Sequence, residues 1–384
     1  MQTDVRRQRV ESLTGLRWFA ALAVFGYHAN QFLALPVVGE AMRLGDAGVT
    51  FFYVLSGFVL TWSFSPRVTI TTFWWRRFAR IWPMLALSMP IAWFCFSQQW
   101  RESWLPTLFG LSLVESWLRP AAAFVGNPVS WSVSCEAFFY LMFPFLIRPV
   151  LRLSLRMLAV LAGAMVAVEF GYWYLVVERF VPPGSPDFWI NLSWFLRFPP
   201  YRLAEFVLGM IAAAALLKGW RPRVNLWVAL GSVPVAALIV ILGVRRGWWP
   251  DLWSQQALLV SCVLVVVVAA SRDMSGRGSF LSSRPLVALG RWSYAFYLVH
   301  LSVIYLLRDL GTPTYLSWAN VRAILVWVTV AVALAALCYQ LYERPLESWL
   351  RRLVPVRGRH AATGRAQPRP SVPVGAADGE SPVR

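Results

Sequence analysis

An imidazole inside an apolar helix is costly to place, and it can move protons near neutral pH. His28 is such a group. It lies in the apolar run 13–33, eleven residues after Arg17. Eleven residues are just over three helical turns, so both side chains leave one face about 16 Å apart along the axis. A guanidinium there could hold an anionic ligand while the imidazole acts as a general base further along; a structural histidine bonded to a neighbouring helix is the competing reading. Glu136, in the run Trp131-Ser132-Val133-Ser134-Cys135-Glu136, could orient an imidazole, accept a proton or pair with a structural arginine. Tyr294, Tyr297 and His300 recur at i, i+3 and i+6, which keeps them on one broad helix face. They are candidates to contact a substrate, although tyrosines near a membrane boundary also serve as interface anchors. Arg76, Arg77 and Arg80 form a basic cluster. The planar guanidinium fork suits phosphate; positive-inside topology or anionic lipid would also account for the cluster.

These residues must be positioned by helices. Of 384 residues, 58% are apolar and only 14% charged, and apolar windows recur along most of the chain. The expectation is an all-α, polytopic transmembrane bundle of about ten spans: 13–33, 47–65, 82–98, 131–148, 156–177, 196–217, 225–243, 254–271, 285–307 and 321–341. Residues 1–12 read as a cytoplasmic N-terminal segment, 13–352 as the membrane domain, and 353–384 as a disordered, basic, Pro-rich cytoplasmic tail. Lysines and arginines concentrate in alternate loops. Arg6, Arg7 and Arg9, the 67–80 cluster, Arg148 to Arg156, Lys218 to Arg223 and Arg272 to Arg284 fall on one side, which puts both termini in the cytoplasm of a multi-pass cell-membrane protein; Arg245 and Arg246 go against the trend. The apolar stretch 103–118 would be an eleventh span and would flip every later loop. It is read instead as an outer-face or re-entrant segment covered by protein.

The net charge of +18 is assigned to cytoplasmic loops and not to nucleic-acid binding. Cys95, Cys135, Cys262 and Cys338 have no CxxC spacing and read as buried thiols. There is no Gly-rich phosphate loop, no GxSxG elbow and no HExxH helix, and no metal is expected. Ser56-Gly57 reads as small residues that let helices approach closely.

The islands also occur together in a familiar order. LTGLRWFAALAVFGYH, GVTFFYVLSGF, RRFARIWP, WSVSCEAFFYLMFP, LGRWSYAFYLVH and YERPLESWLRR resemble, in sequence, the motifs of the acyltransferase 3 family of membrane O-acyltransferases. The resemblance runs from about Leu13 to Arg352. It implies a ten-helix fold and transfer of an acyl group, commonly acetyl, from an acyl-coenzyme A donor to a hydroxyl. His28 matches the family's essential histidine, Arg17 its partner arginine, Arg76, Arg77 and Arg80 its cytoplasmic arginines near the coenzyme A phosphates, and Glu136 the acid of its W-S motif. Thr50 stands where many members have Asp, and Ala137 where a second acid is frequent. With no SGNH transferase domain expected on the chain, and with the LTGLRWFAALAVF opening, it looks more like acyltransferases of secondary metabolites such as macrolides than like modifiers of surface polysaccharide, which share the fold.

The expected activity is therefore direct acyl transfer to a small-molecule or glycan acceptor, with a lipid bilayer as the surroundings. An acyl exporter serving a separate transferase would consume coenzyme A thioester without an acylated acceptor. A proton-coupled transporter would use intramembrane His and Glu as relays, but paired inverted halves with broken helices are not evident. A scaffold or sensor would tolerate loss of Arg17 and His28.

Overall fold

The computed structural model describes residues 10–33, 38–100, 105–118, 126–180, 188–247, 254–308 and 318–354. The chain before residue 10 and the tail beyond 354 lie outside these residues. Ten long helices carry the ten expected spans: α1 (Glu11–Ala29), α3 (Ala47–Trp62), α4 (Ile70–Trp100), α6 (Trp131–Arg152), α7 (Leu155–Leu175), α9 (Pro199–Leu217), α10 (Leu226–Arg245), α11 (Ser254–Met274), α12 (Arg284–Leu307) and α13 (Trp318–Cys338). Shorter helices are α2 (Val38–Arg43), α5 (Leu105–Leu111), α8 (Phe188–Arg197) and α14 (Arg344–Arg352), the last joined to α13 through a π-helical turn at Tyr339–Glu343. Among the described residues, nine helices are long and apolar enough to cross a membrane. The tenth, α1, is less apolar because it carries Glu11, Arg17 and His28; it is enclosed by its neighbours, with Leu13, Ala21, Val24 and Phe25 almost fully buried.

Local chemistry sets several boundaries. Ser154 accepts from the Met157 N–H and Asn225 from the Val228 N–H, each capping the helix that follows. The start of α1 is capped from another helix: Asp273 on α11 accepts from the Ser12 N–H at 2.9 Å and from the Ser12 hydroxyl at 2.6 Å. A carboxylate there satisfies an orphan N–H and complements the helix dipole, and it anchors the end of α1 nearest Arg17.

The third span differs from expectation. Its helix begins at Ile70, a dozen residues early, and continues through Pro83 and Pro90. Arg76, Arg77 and Arg80 thus lie on a helix and not in the loop before it. Around that helix Arg80 lies between the other two, about 60° from Arg77 and about 40° from Arg76.

Helices α3, α9 and α12 are mostly buried; α7 and α10 form the rim, with apolar faces open to lipid. The crossing of α3 and α9 is backbone on backbone: a Cβ on Gly57 would fall 1.9 Å from the Phe206 carbonyl oxygen, and one on Gly209 the same distance from that of Val54. Gly57 does serve close packing. Its neighbour Ser56 lines a cavity, and its hydroxyl donates to Glu136 at 3.3 Å.

The stretch 103–118 does not span. Its described part is α5 followed by a single 3-10 turn, Glu115–Trp117. The segment folds back along α4: the Trp82 indole donates to the Leu111 carbonyl at 3.3 Å, and Gly110 packs on Met89. Ser116 and Ser134 hydroxyls tie it to α6 through the Trp131 and Leu113 carbonyls. Protein covers the segment on one side only: Gly110, Glu115 and Ser116 are buried, whereas Leu108, Ser112, Val114 and Trp117 are exposed. Glu115 is buried in the fold-back, and neither of its carboxyl oxygens has a hydrogen-bond partner among the described residues. Burial pushes its carboxyl up to about 8. The folded state therefore holds a proton that the unfolded chain releases in the ordinary carboxylate range, so stability falls as pH rises from there through about 8. Thermal unfolding in detergent should show the wild type less stable at pH 9 than at pH 6. Glu115→Gln should reduce that difference; an unchanged pH dependence in the variant would show that Glu115 is already ionised when folded.

Candidate active site

Two cavities enter the bundle from opposite ends. One, of about 480 Å³, lies where α1 begins and is lined by Arg17, Arg77, Arg80, Glu136, Arg291 and Tyr294, among others. The second, of about 390 Å³, lies where α1 ends and is lined by Tyr27, His28, Asp46, Trp131, Arg197 and Arg245, among others. Val49 and Tyr297 line both. The arginine cavity and the histidine cavity therefore meet at these two side chains.

In the arginine cavity, Arg17 lies over the Phe52 ring at 5.9 Å and Arg77 between Phe73 and Tyr140, at 5.7 and 5.8 Å. The Nε atoms of both are buried with no hydrogen-bond partner among the described residues. Buried charge-bearing donors left unpaired are costly, and an anionic ligand would satisfy them. Arg80 is different. It pairs with Glu343 and reaches Glu347 at 3.6 Å, so carboxylates from the π-turn and α14 already balance its charge. Arg76 does not line the cavity. Glu136 accepts from the Tyr140 hydroxyl and from Ser56; these partners are hydroxyls and not an imidazole. Tyr294 lines the cavity, its hydroxyl donating to the Ile81 carbonyl at 2.7 Å with Arg80 over its ring.

In the histidine cavity, the half-buried His28 ring has its Nδ1 3.0 Å from the Val24 carbonyl oxygen and 3.0 Å from Nε2 of His300. His300, fully buried on α12, lines neither cavity and stands behind His28. Tyr297 is fixed at the junction: its hydroxyl is 2.8 Å from the Ser132 hydroxyl and 3.1 Å from the Val129 carbonyl. Asn127 braces the same region, its amide donating to Ser88 on α4 and to the Leu298 carbonyl on α12. The arrangement thus offers partnerless Nε donors of two arginines for an anion at one end, an imidazole at the other, and a wall shared at Val49 and Tyr297 between them.

The acyltransferase 3 family profile, described as an acyltransferase domain, matches residues 10–340. The chain belongs to this family. It is accordingly a multi-pass membrane O-acyltransferase. It is 37% identical to Acyltransferase MdmB of Streptomyces mycarofaciens, over 91% of this chain and 94% of that protein. It is 24% identical to the peptidoglycan O-acetyltransferase OatA of Listeria monocytogenes, over 90% of the chain, and 26% identical to the putative peptidoglycan O-acetyltransferase YrhL of Bacillus subtilis, over 88%. The acyltransferase spans only 57% and 55% of the length of those last two proteins. No solved structure matches the chain.

Several residues of this acyltransferase's cavities escape a reading of the sequence. Arg291 had a signal: it precedes Tyr294 and Tyr297 at the same three-residue spacing. Tyr140 is one helical turn from Glu136. Val49 and Trp131 lie inside the motif islands without standing out as site residues, and Arg197 had no signal, because only packing brings α3, α6 and α8 to the His28 end of α1. Arg197 sits over the Trp131 ring at 4.9 Å. The Thr50 substitution is also resolved. Its hydroxyl donates to Glu205 at 2.9 Å and accepts from Arg202 at 3.3 Å, and Arg202 and Glu205 pair at 3.2 Å. A carboxylate does stand beside position 50, delivered by α9. No group of three or more potential metal ligands occurs among the described residues.

Proposed function

We propose that the enzyme transfers an acyl group, acetyl in the first instance, from a coenzyme A thioester in the arginine cavity to a hydroxyl of an acceptor in the histidine cavity. The observation that carries this reading is the meeting of the two cavities at Val49 and Tyr297. Arg17 and Arg77 supply unpaired donors for the phosphates; Arg80, already paired with Glu343, contributes less than the sequence suggests. The positive-inside bias puts the arginine cavity on the cytoplasmic side, where coenzyme A thioesters are made. For the acceptor the reading is a secondary metabolite of the macrolide type, which the resemblance of the LTGLRWFAALAVF opening suggests; the chain also matches Acyltransferase MdmB over 94% of that protein's length. Hydroxyls of a cell-surface glycan are the second candidate, because two relatives are named for peptidoglycan.

In the proposed reaction, neutral His28 takes the proton of the acceptor hydroxyl as its oxygen attacks the thioester carbonyl carbon. The new C–O bond forms, the C–S bond breaks, and the thiolate of coenzyme A leaves and takes up the proton from the imidazolium. The test uses sealed membrane vesicles of both orientations, labelled acetyl-coenzyme A outside, and a panel of macrolides and oligosaccharides. Cytoplasmic-face-out vesicles should consume thioester and label an acceptor; vesicles of the other orientation should not. Consumption without any labelled acceptor would favour the exporter, and equal activity in both orientations would overturn the assignment of the cavities to the two membrane faces.

A further inference from the structure

His28 and His300 are two of three histidines in the chain; the third, His360, lies beyond the described residues. The surroundings of the pair fix where their protons sit. His300 Nδ1 is 2.6 Å from the Tyr297 carbonyl oxygen. A carbonyl only accepts, so this nitrogen carries hydrogen. A neutral imidazole has one N–H, and Nε2 of His300 therefore presents a lone pair. That lone pair faces His28 Nδ1 at 3.0 Å, and the Val24 carbonyl faces the same nitrogen at 3.0 Å. Two acceptors around one ring nitrogen require a proton on it. His28 is then the Nδ1–H tautomer, and its Nε2 is unprotonated. The opposite arrangement, a charged His300 donating to His28, would press a lone pair of His28 against the Val24 oxygen and leave a charge on a ring that is fully buried. Phe296, stacked on the His300 ring at 5.9 Å, and Phe25 at 6.3 Å hold that ring in place.

We propose that His300 is a positioning residue: its Nε2 accepts from His28 and holds the imidazole in the tautomer whose Nε2 is free to act as base. When His28 gains a proton during the reaction, its Nδ1–H becomes a charge-assisted donor to both acceptors, so the same contact favours the imidazolium. His300 thereby fills the place that a carboxylate takes in a Ser-His-Asp triad, without adding a charge to the membrane interior. This inference rests on the general-base reading of His28, and its test separates the two.

With only three histidines, ¹⁵N-histidine-labelled protein in nanodiscs yields a spectrum that can be assigned with His28→Ala and His360→Ala variants. The expected result is a protonated Nδ1 and an unprotonated Nε2 on His28 in the wild type, and a mixture of tautomers in His300→Phe. In acyl-transfer kinetics, His300→Phe should lower kcat by about tenfold or more while both KM values stay within about twofold. His300→Gln, whose amide oxygen can accept from His28, should recover part of the loss. A wild-type spectrum with hydrogen on Nε2 of His28 overturns the proposal even if His300→Phe fails to fold. So does a folded His300→Phe with unaltered tautomer and kcat. A fully active His28→Ala with the expected wild-type spectrum would instead remove the base reading and leave the tautomer assignment standing.

Discussion

His28→Ala is expected to lower kcat for acyl transfer by about a hundred- to ten-thousand-fold, the contribution typical of a positioned base. Donor KM should stay nearly constant, since His28 lines the histidine cavity and not the one assigned to the thioester. His28 is half-buried, so the folded protein should still be recovered, and a blot and a thermal melt verify this. The measurement is initial rate against donor concentration in membranes, with labelled acetyl-coenzyme A and the acceptor found in the vesicle experiment. A structural histidine would give the opposite pattern: lost stability and a kcat per folded molecule close to wild type. Equal transfer by equally expressed proteins would end the general-base mechanism.

The second large effect belongs to Arg17. Its Nε is buried without a partner, and methionine keeps most of its length while removing the charge. Arg17→Met should raise donor KM by about tenfold to a hundredfold, the equivalent of one lost charge-assisted hydrogen bond of about 1.5–3 kcal/mol. Acceptor KM should hardly move. Arg17→Lys should recover only part of the loss, because an ammonium cannot make two parallel bonds to a phosphate. By contrast, Arg80→Met is expected to act first on stability, since it would leave the fully buried Glu343 without its partner. If Arg17→Met changed acceptor KM and left donor KM alone, the two cavities would have to exchange roles.

Much of this molecule is legible in its residues. Ten apolar runs, each long enough for a span, locate the ten long helices, because a bilayer accepts little besides complete helices. Arg17 and His28 are visible because polar groups inside such runs are costly and therefore informative. Their shared helix face follows from the period of 3.6 residues. The reading of 103–118 as an outer-face or re-entrant segment, and not a span, rests on the charge bias in the loops.

What composition could not supply is which helix meets which. The start of α4 at Ile70 is hidden because a proline at position 83 reads as a boundary, yet the helix passes through it. The partner of His28 is a case of the same kind. Glu136 was the nearest acid by type, but the packing of α1 on α12 brings His300 to it instead. Glu205 reaches Thr50 only because Gly57 and Gly209 let α3 and α9 touch backbone to backbone. The junction at Val49 and Tyr297 joins residues about 250 positions apart, and no local period encodes such a meeting. Sequence alone determined the helices, the membrane setting and the reactive groups, since these depend on residue type and short-range spacing. Tertiary structure decided the two cavities, their common wall and the pairing of the histidines, since these depend on close contacts between distant segments.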